Sequence, residues 1–230
     1  METLAKQQLV FIPGLGFDAA IFGNLFLNHQ QFFYDLPKNF ENESSLIEQI
    51  NGDLPQESTL IAWSLGGLIA ISLCFFYPEK YKSLILIAST PHFNNDAIGI
   101  PAPLLKQFQA MAATDFSLLL KKLNALVTFP HRQFHHQIKK FLWMENKQAS
   151  FLAYLNLLTS IDLRKQYEKL SLPILQIFGE QDAILPLNAA TLLAKTKLTK
   201  IIPQASHAPF LTHPTIWHDH VISFLADQHD

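Results

Sequence analysis

A serine stands between two apolar runs in the stretch TLIAWSLGGLIAIS, which spans residues 59 to 72. The first run is typical of a buried strand and the second of a helix. Ser64 at this junction has two interpretations. It is either an N-cap, whose oxygen accepts a bond from the first helical turn, or a nucleophile on a tight strand-to-helix turn. Gly66 and Gly67 favour the nucleophile, because small residues let such a turn pack closely against its neighbours.

An acid and a histidine follow Ser64 after two later apolar runs. Asp182 comes after PILQIFGE, and His207 comes after TKIIPQAS. The carboxyl ends of parallel strands meet at one edge of a sheet, so the three side chains are expected to converge, and serine, acid and histidine is the chain order of an α/β-hydrolase triad. An imidazole must take the serine proton, and an acid must hold that imidazole in the right tautomer. We therefore predict that Ser64 is the nucleophile, Asp182 the acid and His207 the base.

Acyl transfer also requires fixed N–H donors for the negative charge that forms on the substrate oxygen. We predict that the amide of Leu65, which follows the serine, and the amide of Leu15, in the loop PGLG after the first strand, supply them. The acid has an alternative in Asp162, within SIDLRKQ, although Asp182 follows a strand directly.

The composition favours a folded cytoplasmic protein. A chain of 230 residues, 49% of them hydrophobic, can bury a large core. Its formal net charge of -2 argues against a nucleic-acid-binding protein, and its single cysteine, Cys74, rules out an internal disulfide framework. No apolar run has the roughly 18 residues that a membrane-spanning helix needs. We expect the chain to bind neither nucleic acid nor membrane.

A metal site is not expected from the histidines. His218 and His220 lie two residues apart in a predicted helix and therefore point in different directions. The predicted serine chemistry requires no metal and no organic cofactor.

Six short apolar runs predict the parallel strands that must position these residues. They are QLVFIPG, FFYDLP, TLIAWS, SLILIAS, PILQIFGE and TKIIPQAS. Helical patterns lie between most of them, which predicts an α/β class with a mostly parallel, doubly wound sheet. Residues 101–167 contain only helix-like pieces, too many for one crossover, so we predict an inserted helical cap there. The core would then comprise residues 1–100 and 168–230.

Five phrases in chain order resemble the BioH family of biotin-synthesis carboxylesterases, the pimeloyl-[acyl-carrier protein] methyl ester esterases. They are AWSLGGLIA, ILIASTPHF, SIDLR, PILQIFGEQDAILP and ASHAPFLTHP. The resemblance implies the α/β-hydrolase fold and hydrolysis of the methyl ester of a pimeloyl chain carried on acyl-carrier protein. Ser64, Asp182 and His207 match the family's nucleophile, acid and base.

The resemblance also implies where the substrate and the carrier bind. Leu65 matches an oxyanion and substrate-contact position, and Leu15 stands where the family tends to have tryptophan. The cap segment that matches the substrate-lining stretch consists of Leu123, Asn124, Ala125, Leu126 and Val127. Lys122 and Arg132 match positions that contact the carrier protein. We expect a monomer whose partner is acyl-carrier protein.

Two other functions are also compatible with the sequence. A broad-specificity short-chain carboxylesterase or thioesterase would share every catalytic residue and differ only in whether the cap recognises a carrier. A non-catalytic binding protein with a hydrolase fold is disfavoured by the complete triad, and inertness toward a generic p-nitrophenyl ester would revive it.

Overall fold

The structure is a computed structural model that describes residues 7–23, 26, 28–143, 147–194 and 197–228. Its strands are β1 (Gln8–Ile12), β2 (Gln30–Phe33), β3 (Ser58–Trp63), β4 (Tyr81–Ile87), β5 (Ile174–Gly179) and β6 (Leu198–Ile202). Its α-helices are α1 (Glu43–Asp53), α2 (Leu65–Phe76), α3 (Ala102–Thr114), α4 (Phe116–Thr128), α5 (His135–Ile138), α6 (Gln148–Ser160), α7 (Arg164–Glu168), α8 (Leu187–Leu193), α9 (Pro209–Thr212) and α10 (Pro214–Ala226).

The strands form one sheet in the order β2-β1-β3-β4-β5-β6, and every neighbouring pair is parallel. The predicted doubly wound parallel sheet is therefore confirmed. The chain runs outward from β1 to β2 and then returns to the other side of β1 to form β3. The order thus reverses between β1 and β3, and a crevice for ligands opens at such a point beyond the carboxyl ends of the strands.

Two details of the strand prediction were wrong. The second strand ends at Phe33 and not at Pro37, because the chain turns away after Tyr34 and the Asp35 carboxylate accepts a bond from the amide of Ala19 at 2.6 Å. The two edge strands, β2 and β6, are also largely exposed, whereas all six runs were predicted to be buried. An edge strand has a neighbour on one side only, so apolar composition alone does not bury it.

Helix α2 packs against the sheet with its backbone in contact. Residues 65–74 of this helix are all buried, as expected for a helix that is apolar on every side. A methyl group built on Gly66 would lie 2.5 Å from the carbonyl oxygen of Ile12, and one built on Gly67 would lie 2.3 Å from Oγ of Ser89. Only glycine allows α2 to come this close to the ends of β1 and β4.

The interval between β4 and β5 holds helices α3 to α7, in agreement with the helical pieces predicted there. This interval is attached to the loop after β1. The amide of Trp143 donates to the carbonyl of Gly16 at 2.8 Å, and the amide of Asp18 donates to that of Phe141 at 2.9 Å. Lys147 and Asp18 form an ion pair at 2.8 Å beside these bonds. In the described ranges, no helix is both long enough and apolar enough to cross a membrane.

Replacing Gly66 with alanine is expected to destabilise the fold, because the backbone carbonyls of Ile12 and Pro13 leave no room for the methyl group. Overpacking of this kind costs about 1–3 kcal/mol, and urea denaturation should show that loss in the free energy of unfolding. The matched control is Gly52→Ala in α1, where nothing lies within 4 Å of the new methyl group. Alanine there should raise the unfolding free energy by up to about 1 kcal/mol. Equal stabilities of the two variants would contradict the close approach of α2.

Candidate active site

Ser64 occupies a strained turn between β3 and α2. Its φ of 53° and ψ of -119° lie in a region that residues other than glycine rarely adopt, at a cost of about 1–3 kcal/mol. Hydrogen bonds hold this conformation. The amide of Ser64 donates to the carbonyl of Ile87 at 2.9 Å, and the hydroxyl of Ser89 donates to the carbonyl of Ser64 at 2.8 Å. The turn has the strand-to-helix form in which a serine projects from the top of the sheet.

His207 and Asp182 form a buried pair beyond the ends of β6 and β5. Nδ1 of His207 lies 2.7 Å from Oδ2 of Asp182, and the two side chains are 1% and 2% exposed. The other carboxylate oxygen accepts bonds from the amides of Ile184 and Leu185 at 2.8 and 2.9 Å. Because a carboxylate can only accept, Nδ1 of His207 carries the proton and Nε2 is left to accept one. This is the tautomer that a general base requires.

The loop after β1 lies against Ser64, as the strand order requires. A methyl group built on Gly14 would be 3.2 Å from Cβ of Ser64. Leu15 follows in the same loop, and Leu65 is the first residue of α2, where an amide has no acceptor within its own helix. In the part of the chain that the structure describes, neither amide donates to a protein acceptor. Both are therefore free to bind a substrate oxygen.

A small pocket that is partly open to solvent joins these groups. Its volume is about 30 Å³, which is room for about one water molecule. Among the described residues of its wall, Ser64 and His207 are the only polar side chains apart from the indole of Trp63. The complete lining is Gly14, Leu15, Phe17, Trp63, Ser64, Ile100, Phe108, Leu123, Val127, Leu155, Leu158, Ile184 and His207. The serine and the histidine thus face a mainly apolar pocket that is lined by side chains from both the sheet and the helices between β4 and β5.

The predicted substrate-lining stretch of α4 meets this cavity at two positions. Leu123 and Val127 line it, since residues four apart lie on one side of a helix. Asn124, Ala125 and Leu126 lie outside the lining, and the Asn124 side-chain amide instead donates to the carbonyl of His135 at 3.1 Å.

Several lining residues were not predicted from the sequence. They are Phe17, Ile100, Phe108, Leu155, Leu158 and Ile184. The spacing of Leu155 and Leu158 does indicate one face of a helix, so their burial was predictable. Their contact with the catalytic cavity depends on how α6 is placed over the sheet, and no local pattern encodes that placement.

Asp162, the alternative acid, lies in a different set of contacts. Its carboxylate accepts bonds from Nε and Nη2 of Arg164 at 2.9 and 2.6 Å, and Nδ1 of His92 is 3.6 Å away. These bonds from the guanidinium hold the pKa of Asp162 well below its usual value. The structure therefore places Asp182, and not Asp162, beside His207.

The two predicted carrier-binding residues lie on or next to α4. The ammonium of Lys122 donates to the side-chain oxygen of Gln107 on α3. This partner is neutral, so the positive charge of Lys122 is not cancelled by the contact. Arg132 is exposed, in a single 3-10 turn that follows α4.

Comparisons with known proteins show what the chain is similar to. The model of the alpha/beta hydrolase family matches residues 9–217 of the chain. A pimeloyl-[acyl-carrier protein] methyl ester esterase from Wigglesworthia glossinidia brevipalpis is 34% identical over 91% of this chain and 90% of that protein. One from Aeromonas salmonicida is 33% identical over 90% of each. The solved structure of an esterase from Thermogutta terrifontis has a TM-score of 0.81 over 97% of this chain and 91% of that one, at 16% identity, which shows the shared fold.

Replacing Asp182 with asparagine is expected to lower kcat by up to about 10⁴-fold, because an amide at this position would favour the wrong tautomer of His207. Steady-state hydrolysis of a p-nitrophenyl ester measures the effect. The matched control is Asp162→Asn, which makes the same chemical change beside Arg164 and should leave kcat unchanged. A large loss of kcat in Asp162→Asn, together with full activity in Asp182→Asn, would show that Asp162 is the acid and that the assignment to Asp182 is wrong.

Proposed function

The chain belongs to the alpha/beta hydrolase family and to its group of pimeloyl-[acyl-carrier protein] methyl ester esterases, and on that premise we propose a specific reaction for it. It is a carboxylic ester hydrolase, and we infer that it removes the methyl ester from a pimeloyl chain carried on acyl-carrier protein, through an acyl-enzyme on Ser64. The observation that carries the proposal is the strained Ser64 in one apolar cavity with His207, whose other nitrogen is bound to Asp182.

Acylation uses the groups around Ser64. The Ser64 oxygen attacks the ester carbonyl while Nε2 of His207 takes its proton. The carbonyl oxygen becomes negative, and the amides of Leu15 and Leu65 stabilise it. One such donor is worth about 2.7–4 kcal/mol in a site closed to water. His207 then gives its proton to the methoxy oxygen, and methanol leaves.

Deacylation repeats these steps with water in place of the serine. His207 takes a proton from the water as it attacks the acyl-enzyme, and the same two amides bind the oxyanion. The proton then returns to Ser64, and the free carboxylate of the pimeloyl chain is released. Asp182 keeps His207 in the same tautomer throughout. The hydrogen bonds that its carboxylate accepts from the backbone amides of Ile184 and Leu185 keep it in place.

The cavity supports an acyl chain as the substrate. Ile100, Phe108, Leu155 and Leu158 offer an apolar wall without a charged side chain, which suits a methylene chain and a neutral methyl ester. The pocket volume of about 30 Å³ is smaller than that chain, so we infer that the helices over the pocket shift when the chain enters. The carrier would remain outside, near the positive charges of Lys122 and Arg132.

Replacing Ser64 with alanine is expected to abolish ester hydrolysis while the protein stays folded, because the side chain is small and its hydroxyl is the nucleophile. The measurement is hydrolysis of pimeloyl-carrier methyl ester and of a p-nitrophenyl ester, with circular dichroism as the check on folding. More than a few per cent of wild-type activity in the folded variant would contradict the assignment of Ser64 as the nucleophile. Inertness of the wild type toward both esters would favour a binding protein.

Reversing two charges is expected to weaken carrier recognition without affecting chemistry. Lys122→Glu with Arg132→Glu should raise KM for pimeloyl-carrier methyl ester by about tenfold at unchanged kcat, since exposed ion pairs contribute about 0.2–1 kcal/mol each and reversal adds repulsion. Added salt should also raise the wild-type KM, because charges are screened over about 10 Å at 0.1 M. Hydrolysis of a small neutral ester should not respond to either treatment.

The control for these charges lies at the opposite end of the sheet. Lys82 is exposed at the amino end of β4, and Lys169 is exposed in the segment before β5. Lys82→Glu with Lys169→Glu makes the same change in net charge and should leave KM for the carrier substrate near its wild-type value. Equal effects of the two double variants, or no effect of either, would favour a broad-specificity carboxylesterase that does not recognise a carrier.

A further inference from the structure

Trp63, the residue before Ser64, connects the nucleophile to the base. Its indole Nε1 donates to the backbone carbonyl of His207 at 2.9 Å, across 144 positions of the chain. We propose that this N–H is a positioning group for catalysis, which sets the separation of His207 from Ser64. The proposal rests on the catalytic roles given above to those two residues, and it adds a residue that acts through His207 without binding the substrate carbonyl.

His207 is held at two points. Asp182 holds Nδ1 of the ring, and Trp63 holds the backbone carbonyl of the same residue. No other donor to this carbonyl is found among the described residues. Pro209 lies just beyond and has no N–H to contribute. The contact to Asp182 fixes the tautomer and the tilt of the imidazole, whereas the contact to Trp63 fixes the backbone from which the imidazole projects.

The indole itself has little freedom to move. Trp63 is 1% exposed, and its ring is tilted against those of Phe17 at 5.1 Å and His207 at 5.7 Å. Phe210 meets its plane edge-on at 5.3 Å. A methyl group built on Gly14 would lie 3.1 Å from the indole, so the loop after β1 also rests on this ring. A rigid side chain next to Ser64 in the chain therefore sets the position of the histidine loop.

The expected effect of losing the N–H follows from the geometry of proton transfer. Without its donor, the His207 carbonyl is buried and unsatisfied, and the loop that carries it will shift to find water or another donor. A misplacement of about 1 Å in an active site can cost about 10² in rate. The loss should appear in kcat and in the reactivity of Ser64, because both need the imidazole at hydrogen-bonding distance from the serine oxygen.

Trp217 provides a matched control within the same core. It is 0% exposed, and its ring meets that of Phe210 with centroids 5.9 Å apart. Its Nε1 is buried and has no hydrogen-bond partner among the described residues. Replacement of either tryptophan with phenylalanine removes the same atoms from a buried site beside Phe210. Only the change at Trp63 removes a bond to His207.

The experiment compares Trp63→Phe with Trp217→Phe on p-nitrophenyl acetate. Active sites are counted by complete phosphonylation of Ser64 with a small fluorophosphonate, and kcat is expressed per site. We expect kcat and the rate constant of phosphonylation to fall about 10- to 100-fold in Trp63→Phe, with KM within about twofold of wild type. Trp217→Phe should lower Tm to a similar extent and keep both rates. Wild-type rates in Trp63→Phe, or equal losses in both variants, would overturn the proposal.

A second variant keeps the test decisive if Trp63→Phe does not fold. Replacement of Trp63 by 3-benzothienylalanine, introduced by codon suppression, preserves the bicyclic shape and exchanges only the N–H for sulfur. The same loss of kcat is expected, and wild-type kcat in this protein would refute the positioning role. Failure of the underlying mechanism gives a different result. If Ser64→Ala remains active, the proposed function is wrong, whereas an inactive Ser64→Ala with a fully active Trp63 variant removes only the inference about Trp63.

Discussion

The close approach of α2 to the loop after β1 is the constraint on which the rest of the site depends. Gly66 allows it, since any side chain there would meet the carbonyls of Ile12 and Pro13. A methyl group built on Gly14 would lie 3.2 Å from Cβ of Ser64, so the loop after β1 also lies close to the strained serine. Gly67 admits Ser89 in the same way, and the Ser89 hydroxyl then binds the carbonyl of Ser64. The strained conformation of Ser64 is thus held by backbone contacts and by the hydroxyl of Ser89.

Burial of Asp182 and His207 is the second condition for the chemistry. Placing Asp182 and His207 out of contact with water costs free energy, and a buried pair is retained only when hydrogen bonds satisfy it. Asp182 accepts three, from His207, Ile184 and Leu185. The stability of the fold comes from the apolar core, whereas the hydrogen bonds of Asp182 orient the imidazole of His207. In the same apolar environment, amide dipoles aimed at a substrate oxygen would act with little screening.

The loop after β1 is held from two directions. On one side it rests on Trp63 and Ser64, and on the other it pairs with the segment between β4 and β5 through Phe17 and Leu142. The Asp18–Lys147 ion pair and the amide of Trp143 strengthen this second contact. The helices that close the cavity are thus attached to the loop that carries Leu15. The shift proposed for these helices on substrate entry would take place beside the amide of Leu15.

The sequence by itself determined the strands, the helical interval between β4 and β5, and the order in which serine, acid and histidine reach the same sheet edge. Those features are local, because they depend on apolar runs and on the residues that follow them. It predicted neither the end of β2 nor the exposure of the edge strands, and it left two candidates for the acid. Only the tertiary structure placed Asp182 beside His207, brought Leu123 and Val127 but not Asn124 to the cavity, and joined Trp63 to a carbonyl 144 positions away. These contacts depend on how elements distant in the chain pack together. That packing is decided by the side chains of the whole core at once, and no local pattern contains it.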